Sequence, residues 1–243
     1  MKVTGEVRKG IGKKVCDDSA LVNDMIVNEE SCAFELEGHF NVGVADGVGG
    51  NSGGRDASLF VMEKLKECSC STSRELDDYI RELNNKLLSY ANSVSGKGEM
   101  ATTLTFLCAS ENSFVLAHIG NTRLYEFNNG YIRKLTNDHT TYQYLLDSGD
   151  SVAAENCNKN EIYACLGGGG EGFITGVSIT GELSYLSNCY MMTSDGVHEY
   201  VDDDEFEEIF SDCESDSDIV KRLIDRAEQN GSVDDKTVMI IRI

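Results

Sequence analysis

The chain has 243 residues, which fits one large domain or two small ones, and 40% of them are apolar, which is typical of a globular protein. Its 42 acidic residues outnumber its 21 basic residues, giving a net charge of −21, which argues against a partner made of nucleic acid or anionic membrane. The sequence also lacks an apolar run long enough to span a membrane, an apolar segment near its start, and a C-x-x-C pair among its nine cysteines. We therefore expect a cytoplasmic protein with reduced thiols.

The first predicted elements are a strand and two helices. Residues 40–45 alternate apolar positions and end at Asp46-Gly47, which indicates a strand followed by a loop. Residues 57–68 have helical spacing. The next helix is stronger, because Thr72 and Glu75 form a capping-box pattern before an apolar stripe. That stripe consists of Leu76, Tyr79, Ile80, Leu83, Leu87 and Tyr90.

A series of short strands is predicted in the middle of the chain, where β-branched and aromatic residues are frequent. These segments are residues 102–109, 113–119, 122–127 and 131–135. The Asn-Asn-Gly sequence at 128–130 is typical of a hairpin turn. Residues 140–147 then predict a short helix closed by Gly149.

The C-terminal part adds a strand at residues 190–193, a helix at 217–229 with Gly231 as its C-cap, and a final strand at 236–243. The last strand is apolar at nearly every position, so we expect both of its faces to be buried. Hairpin-type connections between the strands favour antiparallel sheets. The pattern predicts an α+β domain of layered sheets covered by helices, not a doubly wound parallel fold.

Four aspartates occupy positions that suit metal ligands. Asp46 and Asp195 each follow a predicted strand and precede a glycine, Asp234 comes just before the last strand, and Asp18 lies near the N-terminus. Carboxylate oxygens bind Mg²⁺ and Mn²⁺, and two such ions about 3.5–4 Å apart support in-line displacement at phosphorus. However, a lone Asp-Gly is also an ordinary turn sequence. The spacing alone does not bring these aspartates together.

Six segments in the same order resemble the type 2C family of metal-dependent serine/threonine phosphatases in its compact bacterial-like form. They include an Asp-Gly segment, an Ala-Thr-Thr segment, a Gly-Asn-Thr-Arg hairpin, a Leu-Thr-Asn-Asp-His segment, a Ser-Asp-Gly segment and an Asp-Asp-Lys-Thr segment. Their positions are 44–50, 100–103, 117–125, 135–140, 193–197 and 234–238. The resemblance covers nearly the whole chain. It implies one catalytic domain, residues 1–243, with two packed antiparallel sheets flanked by helices (an α-β-β-α sandwich).

The resemblance also implies a role for each aspartate. Asp46 would bridge two Mn²⁺ or Mg²⁺ ions, and the carbonyl of Gly47 would bind one of them. Asp195 and Asp234 would complete the shell of the other ion. Asp18 would act through metal-bound waters, with Asp17 as a weaker candidate for that role.

Several positions depart from the family pattern, three of them around the phosphate. Lys13 replaces an arginine that grips the substrate phosphate; lysine keeps the charge but loses the two-pronged contact. We therefore expect weaker phosphate binding and a lower KM in Lys13→Arg. Cys16 replaces a common asparagine, and a buried inert thiol is expected there. Val48 replaces a histidine that some members have as a general acid; His198 is a candidate substitute, although a nearby histidine is more often structural.

The remaining departures concern metal affinity and the region facing the substrate. Asn121 replaces an aspartate that helps to hold a third ion, so we expect that third site to be weak or absent. Asp235 replaces an asparagine and would either raise metal affinity or face water. Glu199 would join a third site or cap the following helix. Residues 140–172, including the glycine run at 166–172, correspond to a variable flap and are interpreted as mobile substrate-facing surface, while the acidic residues 201–210 are interpreted as a solvated helix face.

The sequence therefore predicts a monomeric protein phosphatase that hydrolyses phosphoserine or phosphothreonine. Its partner would be a phosphoprotein, either a kinase or a target of that kinase. Two other functions stay open: a non-catalytic phosphatase-like module that binds a partner, and metal-dependent hydrolysis of another phosphate ester.

Overall fold

The structure is a computed structural model, and it describes residues 1–48, 53–94, 100–109, 113–168, 174, 180–184 and 187–243. In chain order, the first strands are β1 (Lys2–Arg8), β2 (Ser19–Val22), β3 (Met25–Val27), β4 (Ser31–Glu35), β5 (Phe40–Ala45) and β6 (Gly47–Val48). The helices α1 (Gly53–Leu65) and α2 (Ser73–Ser93) follow. The middle of the chain contains β7 (Ala101–Thr102), β8 (Leu104–Ala109), β9 (Ser113–Ile119), β10 (Arg123–Asn128) and β11 (Tyr131–Lys134).

The second half begins with two short helices, α3 (Thr141–Asp147) and α4 (Ser151–Asn156). Three strands follow: β12 (Leu166–Gly167), β13 (Thr180–Ser184) and β14 (Cys189–Thr193). The chain then forms α5 (Asp195–His198), α6 (Asp203–Asp212), α7 (Asp216–Gln229) and β15 (Lys236–Arg242).

Two six-stranded antiparallel sheets form the centre of the fold. One has the strand order β11-β10-β14-β15-β1-β4 and the other β13-β9-β8-β5-β2-β3. A small third sheet, β12-β7-β6, lies beside Asp46. Strand β1 pairs with β15 from Lys2↔Arg242 to Arg8↔Lys236, so strands from the two ends of the chain are neighbours in one sheet.

Three apolar cores hold these layers together. The helices α1 and α2 cover one sheet through residues such as Met62 and Leu83, and α6 and α7 cover the other through Phe206 and Leu223. The middle core lies between the sheets and includes Val42. The alternation of side chains along each strand places one set of apolar residues toward a helix layer and the other toward the opposite sheet. The predicted α-β-β-α sandwich is therefore confirmed.

The structure also corrects the predicted helix boundaries. The helix expected at 57–68 runs from Gly53 to Leu65, because Gly53 and Gly54 belong to its first turn and the helix ends before Cys68. The helix α4 was not predicted, since it has only six residues and one buried side chain. The acidic segment 201–210 is not only a solvated face: α6 buries Phe206, Ile209 and Phe210 beneath its carboxylates.

Several local predictions agree with the structure. Thr72 and Glu75 form the expected capping box at the start of α2. Gly231 has φ +101° and donates its N–H to Glu228, while Ser232 N–H reaches the carbonyl of Ala227, which is the pattern of a Schellman C-cap. In the described part of the chain, every helix is too short or too polar to cross a membrane.

Candidate active site

The main chain around Asp46 is held by two threonines. Asp46 N–H donates to Thr103 Oγ1 at 3.0 Å, and its carbonyl accepts from Thr103 N–H and from Thr102 Oγ1, both at 2.9 Å. This explains why an Ala-Thr-Thr segment accompanies the Asp-Gly segment in the sequence. The two hydroxyls fix the strand end, so the Asp46 carboxylate leaves the sheet in one direction.

Gly47 allows the first helix to approach the same strand end. A Cβ atom on Gly47 would lie 2.3 Å from the backbone of Gly54, so no other residue fits. Gly47 N–H donates to the carbonyl of Asp17, and Asp17 Oδ1 accepts the N–H of Arg55 in the first turn of α1. The start of α1 and the segment before β2 are therefore fixed against the Asp46 loop.

Asp18 is 1% exposed and lies between two other segments of the site. Its Oδ2 accepts the Ser194 hydroxyl at 2.6 Å and the Thr237 hydroxyl at 2.7 Å. Its Oδ1 is buried without a hydrogen-bond partner among the described residues. Ser194 and Thr237 were not identified from the sequence as site residues, although each belongs to a segment that was: Ser-Asp-Gly and Asp-Asp-Lys-Thr.

Four aspartates from distant parts of the chain lie close enough to affect one another's ionisation. Burial raises the pKa of Asp46 well above its usual value, and the charges of Asp195, Asp18 and Asp234 raise it further. Burial also raises the pKa of Asp18, to about 7, and that of Asp195, with a further contribution from Asp234. We call these four residues the acidic rim. Such like-charged, partly desolvated carboxylates are typical of functional sites.

Lys13 lies against the acidic rim. Its Nζ contacts the carboxylate of Asp234, lies 2.9 Å from Asp235 Oδ2 and is 4.0 Å from Asp17 Oδ2. Burial disfavours the charged ammonium, but the hydrogen bonds to Asp234 and Asp235 outweigh it and raise the pKa of Lys13 above its usual value. Lys13 therefore stays protonated at neutral pH.

Asp235 does not face water, which settles one of the two alternatives left by the sequence. It is 2% exposed, and its Oδ1 accepts Gly10 N–H at 2.7 Å. Its Oδ2 accepts Asp17 N–H at 2.7 Å as well as Lys13 Nζ. Asp235, the residue next to Asp234, thus holds both ends of the segment 10–17.

The acidic rim is not a ready-made metal cage. Within the described ranges, no three His, Cys, Asp or Glu side chains are arranged to hold one ion as they stand. Their oxygens are engaged elsewhere: Lys13 contacts Asp234, Asn121 donates to Asp195, and two hydroxyls donate to Asp18. An ion bound by these carboxylates would replace those partners.

A protein-family model described as protein phosphatase 2C matches residues 14–218, most of the chain. The chain belongs to the protein phosphatase 2C family. This match confirms the resemblance inferred from the sequence and the prediction that the protein is an enzyme, a protein phosphatase.

Individual relatives of this phosphatase are bacterial. The serine/threonine phosphatase stp of Listeria monocytogenes is 28% identical over 210 residues, which cover 82% of each chain. The crystal structure of Stp1 from Staphylococcus aureus superposes with a TM-score of 0.82 at 21% identity, covering 99% of this chain and 94% of that one. The catalytic domain of PstP in complex with two manganese ions gives a TM-score of 0.77 at 23% identity, with 100% and 99% covered. The structural matches support the fold.

The Asp-His segment of the phosphatase holds the loop that contains Asn121, the residue that donates a hydrogen bond to Asp195. His139 Nδ1 accepts Gly120 N–H at 3.1 Å, and His139 N–H donates to the Gly120 carbonyl at 2.8 Å. Gly120 has φ +98°, a conformation that favours glycine, and it is followed by Asn121. Asn121 Nδ2 then donates to Asp195 Oδ2 at 3.0 Å.

Asp138 supports the same loop of the phosphatase from the other side. Its carboxylate accepts Arg123 Nε at 3.0 Å and Arg123 Nη2 at 2.6 Å, which is a two-pronged contact. Asn121 departs from the family pattern. The residues that hold its loop, Arg123, Asp138 and His139, match that pattern.

The surroundings of His198 and Cys16 indicate what these two residues do. His198 is buried, its Nδ1 lies 2.8 Å from the Thr193 hydroxyl, and burial holds its pKa well below the usual value. These features fit the structural interpretation of His198 better than a general acid. Cys16 is fully buried, and burial raises the pKa of its thiol, as expected of an inert cysteine.

Glu199 does not cap the following helix, so that alternative was wrong. The N-cap of α6 is Asp202, which forms a capping box with Glu205. Glu199 is exposed and accepts Asn160 Nδ2 at 2.8 Å. It therefore connects the end of α5 to the flap region that begins at residue 140.

The flap region itself is partly described. Its strand β12 pairs with β7 at Leu166↔Thr102 and Gly167↔Ala101, next to the threonines that hold Asp46. Residues 169–172 of the glycine run lie outside the described residues. A cavity of about 240 Å³ is lined by the flap residues Tyr142 and Lys159 together with Asn121 and Glu199. Because Asn121 donates to Asp195, the described flap residues form one wall of a cavity next to the rim.

Proposed function

We propose that this protein phosphatase hydrolyses phosphoserine and phosphothreonine in proteins and requires two divalent cations, Mn²⁺ or Mg²⁺. The observation that carries the proposal is the acidic rim, in which four aspartates from separate segments meet at one end of the two sheets. The curated relatives named serine/threonine phosphatase and the PstP complex with two manganese ions support the same activity.

The chemistry of the rim fits divalent ions. Asp46, Asp195 and Asp234 would be the carboxylate ligands, the Gly47 carbonyl would be a further oxygen ligand, and Asp18 would act at the second layer of ligands. The buried Asp18 Oδ1 lacks a hydrogen-bond partner among the described residues, and burial followed by mutual repulsion raises the pKa of Asp46 and Asp195. Hard cations with oxygen ligands would relieve both costs.

When bound, the ions supply an activated water at neutral pH and neutralise charge on the phosphate oxygens. The protein's own residues position the reactants. The threonines at 102 and 103 hold the Asp46 backbone. The Lys13 ammonium lies against the carboxylate of Asp234 and would orient the substrate phosphate. Burial holds the pKa of His198 well below its usual value, so the ring beside Thr193 lacks the imidazolium proton that a general acid would supply at neutral pH.

The proposal is tested by measuring hydrolysis of p-nitrophenyl phosphate and of matched phosphoserine, phosphothreonine and phosphotyrosine peptides. Activity should require Mn²⁺ or Mg²⁺, disappear with EDTA and favour the phosphoserine and phosphothreonine peptides. Asp195→Asn should abolish it, whereas Asp204→Asn, an exposed change on α6, should not. A protein that binds Mn²⁺ but hydrolyses none of these substrates would instead be a phosphatase-like binding module.

We also propose that residues 1–243 form a single catalytic domain that acts in the cytoplasm as a monomer on a kinase or the targets of a kinase. The full-length pairing of β1 with β15 supports the single domain, and nine free cysteines fit a reducing compartment. A third ion would bind weakly, because Asn121 presents an amide to Asp195 where a carboxylate would strengthen the site.

A further inference from the structure

Lys13 makes its closest contact with a carboxylate that the proposed function assigns to a metal ion. Its Nζ lies against Asp234 Oδ1, which also accepts the N–H of Asp235. The Asp234 side chain is 49% exposed, so this contact is at the open side of the rim. A lysine whose only role is to grip phosphate has no need of a metal-ligand carboxylate.

The contact between Lys13 and Asp234 is supported by the fold around it. Asp235 accepts hydrogen bonds from Gly10 N–H and Asp17 N–H, so the two ends of the Lys13 segment are fixed to the residue before β15. A Cβ on Gly10 would lie 2.4 Å from the carbonyl of Val233, which shows how closely this segment packs against the residues before Asp234. The same Asp235 carboxylate binds Lys13 Nζ at 2.9 Å. Lys13 therefore cannot leave Asp234 by moving the whole segment; only its side chain can turn away.

We propose, on the basis of the function proposed above, that the Lys13 ammonium and a divalent ion compete for the Asp234 carboxylate, with Asp235 holding the ammonium in place. A doubly charged ion on Asp234 repels an ammonium at contact distance, so the two cannot share the oxygen. The ion therefore binds less tightly than the number of carboxylates would suggest.

The competition has a consequence for substrate binding. An ammonium displaced from Asp234 keeps its flexible four-carbon side chain and can turn to an incoming phosphate. Whatever releases Lys13 from Asp234 then favours its contact with phosphate, and by linkage phosphate favours the ion. Lys13 would therefore couple binding of the divalent ion to binding of the phosphate. This role goes beyond replacing the positive charge of the family's arginine.

The test is isothermal titration calorimetry of Mn²⁺ into the EDTA-treated, dialysed full chain at fixed salt. Lys13→Met should bind Mn²⁺ about tenfold tighter or more, because it removes a contact cation from Asp234. Lys14→Met removes the same charge from the next, exposed residue and should stay within about twofold of the unmodified protein. Lys13→Arg keeps the charge and should also stay within about twofold. Circular dichroism checks the fold of each variant, and Lys13→Gln, which keeps a donor for Asp235, should shift in the same direction as Lys13→Met.

Unchanged or weaker Mn²⁺ binding in both Lys13→Met and Lys13→Gln would overturn the competition. An equal gain in Lys14→Met would also overturn it, since the effect would then be general electrostatics. The proposed function fails separately: if Lys13→Met tightens Mn²⁺ binding and the unmodified protein hydrolyses no phosphopeptide, the competition stands and the phosphatase assignment of the rim does not. If hydrolysis requires Mn²⁺ and Lys13→Met changes nothing, only the competition is lost.

Discussion

The acidic rim and the histidine cluster behind it treat buried ionisable groups in opposite ways. The histidine cluster consists of His118, His139, Thr105 and Thr122. His118 Nδ1 lies 3.1 Å from the Thr105 hydroxyl, its Nε2 lies 3.0 Å from the Asn137 carbonyl, and the two histidine rings are 5.0 Å apart. In the rim, by contrast, carboxylates face carboxylates, and Asp18 keeps one oxygen without a partner among the described residues.

The direction of each pKa shift expresses this difference. Burial, with a smaller contribution from His139, lowers the pKa of His118 to about 3, so the ring is neutral and its hydrogen bonds suit that form. Burial and neighbouring charge raise the pKa of Asp46, whose ionised form is then costly. A buried group with matched hydrogen-bond partners stabilises a fold. Buried carboxylates that repel one another are instead typical of a functional site. The contrast supports the proposal that the rim is the metal site and that the histidines hold it in place.

The largest effect should come from Asp46→Asn. We expect turnover to fall by roughly 10²–10⁴-fold, because in the proposed function Asp46 is the ligand shared by two ions and each 1.36 kcal/mol of lost stabilisation is tenfold in rate. In EDTA at pH 8 the same change should raise Tm by about 2–4 °C, since a neutral side chain removes repulsion with Asp195 and Asp18. Kinetics and thermal unfolding measure the two effects. A variant that is both active and less stable than the unmodified protein would erase the contrast between rim and support.

Much of the fold could be predicted from the sequence, because local signals agreed with it. The strand 40–45 and the capping box at Thr72 match the structure. The strands β1 to β4 were not predicted individually: β1 is mostly polar or small in its sequence and is specified by pairing with β15 and β4, which are distant in the chain. Long-range pairing of this kind leaves little trace in local composition.

The site was less accessible to sequence reasoning than the fold. Asp46, Asp195 and Asp234 could be named because each stands beside a glycine or a predicted strand, and the resemblance to the family added a role for Asp18. The partners that hold them could not: the hydroxyls of Ser194 and Thr237 on Asp18 come from positions 176 and 219 residues away. The role of Asp235 could be identified only from the structure, which shows that its carboxylate accepts hydrogen bonds from Gly10 N–H and Lys13 Nζ.

Asn121→Asp should extend the acidic rim by one carboxylate. The change replaces an amide that donates to Asp195 Oδ2 with a negative charge, so an additional Mn²⁺ should bind about tenfold more tightly and metal-free stability should fall. Calorimetric titration with Mn²⁺ measures the extra binding. Asn121→Ala is the control, because it removes the hydrogen bond without adding charge. Identical isotherms for Asn121→Asp and the unmodified protein would show that position 121 does not belong to an ion site.

His118→Gln tests the histidine cluster through pH. The native pKa of about 3 lies below the unfolded value, so the unfolded chain binds one more proton than the folded protein as pH falls from about 6.5. Stability contributed by the neutral ring is therefore present above pH 6.5 and is lost on acidification, at up to about 1.4 kcal/mol per pH unit. The free energy of unfolding by urea, measured at pH 7 and pH 5 in EDTA, should fall more in the unmodified protein than in His118→Gln. Parallel pH dependence in both would mean that His118 has the same pKa in the folded and unfolded protein.

Thr72→Ala should give the smallest effect and the clearest separation of stability from activity. Thr72 accepts the Glu75 N–H at 3.3 Å and Glu75 accepts the Thr72 N–H, in a capping box that is exposed and belongs to neither the rim nor the histidine cluster. Losing the hydroxyl should cost about 1 kcal/mol and lower Tm by about 2–4 °C.

Ser71→Ala is the matched control, because Ser71 contributes its backbone N–H to Glu75 and keeps it in the variant. Turnover with Mn²⁺ should be unchanged in both variants at 25 °C, since α2 packs on the outer face of its sheet and donates nothing to the aspartates. A loss of turnover in Thr72→Ala alone would show that stability and catalysis are coupled through α2, and the division of the molecule into a strained rim and a stabilising remainder would then be too simple.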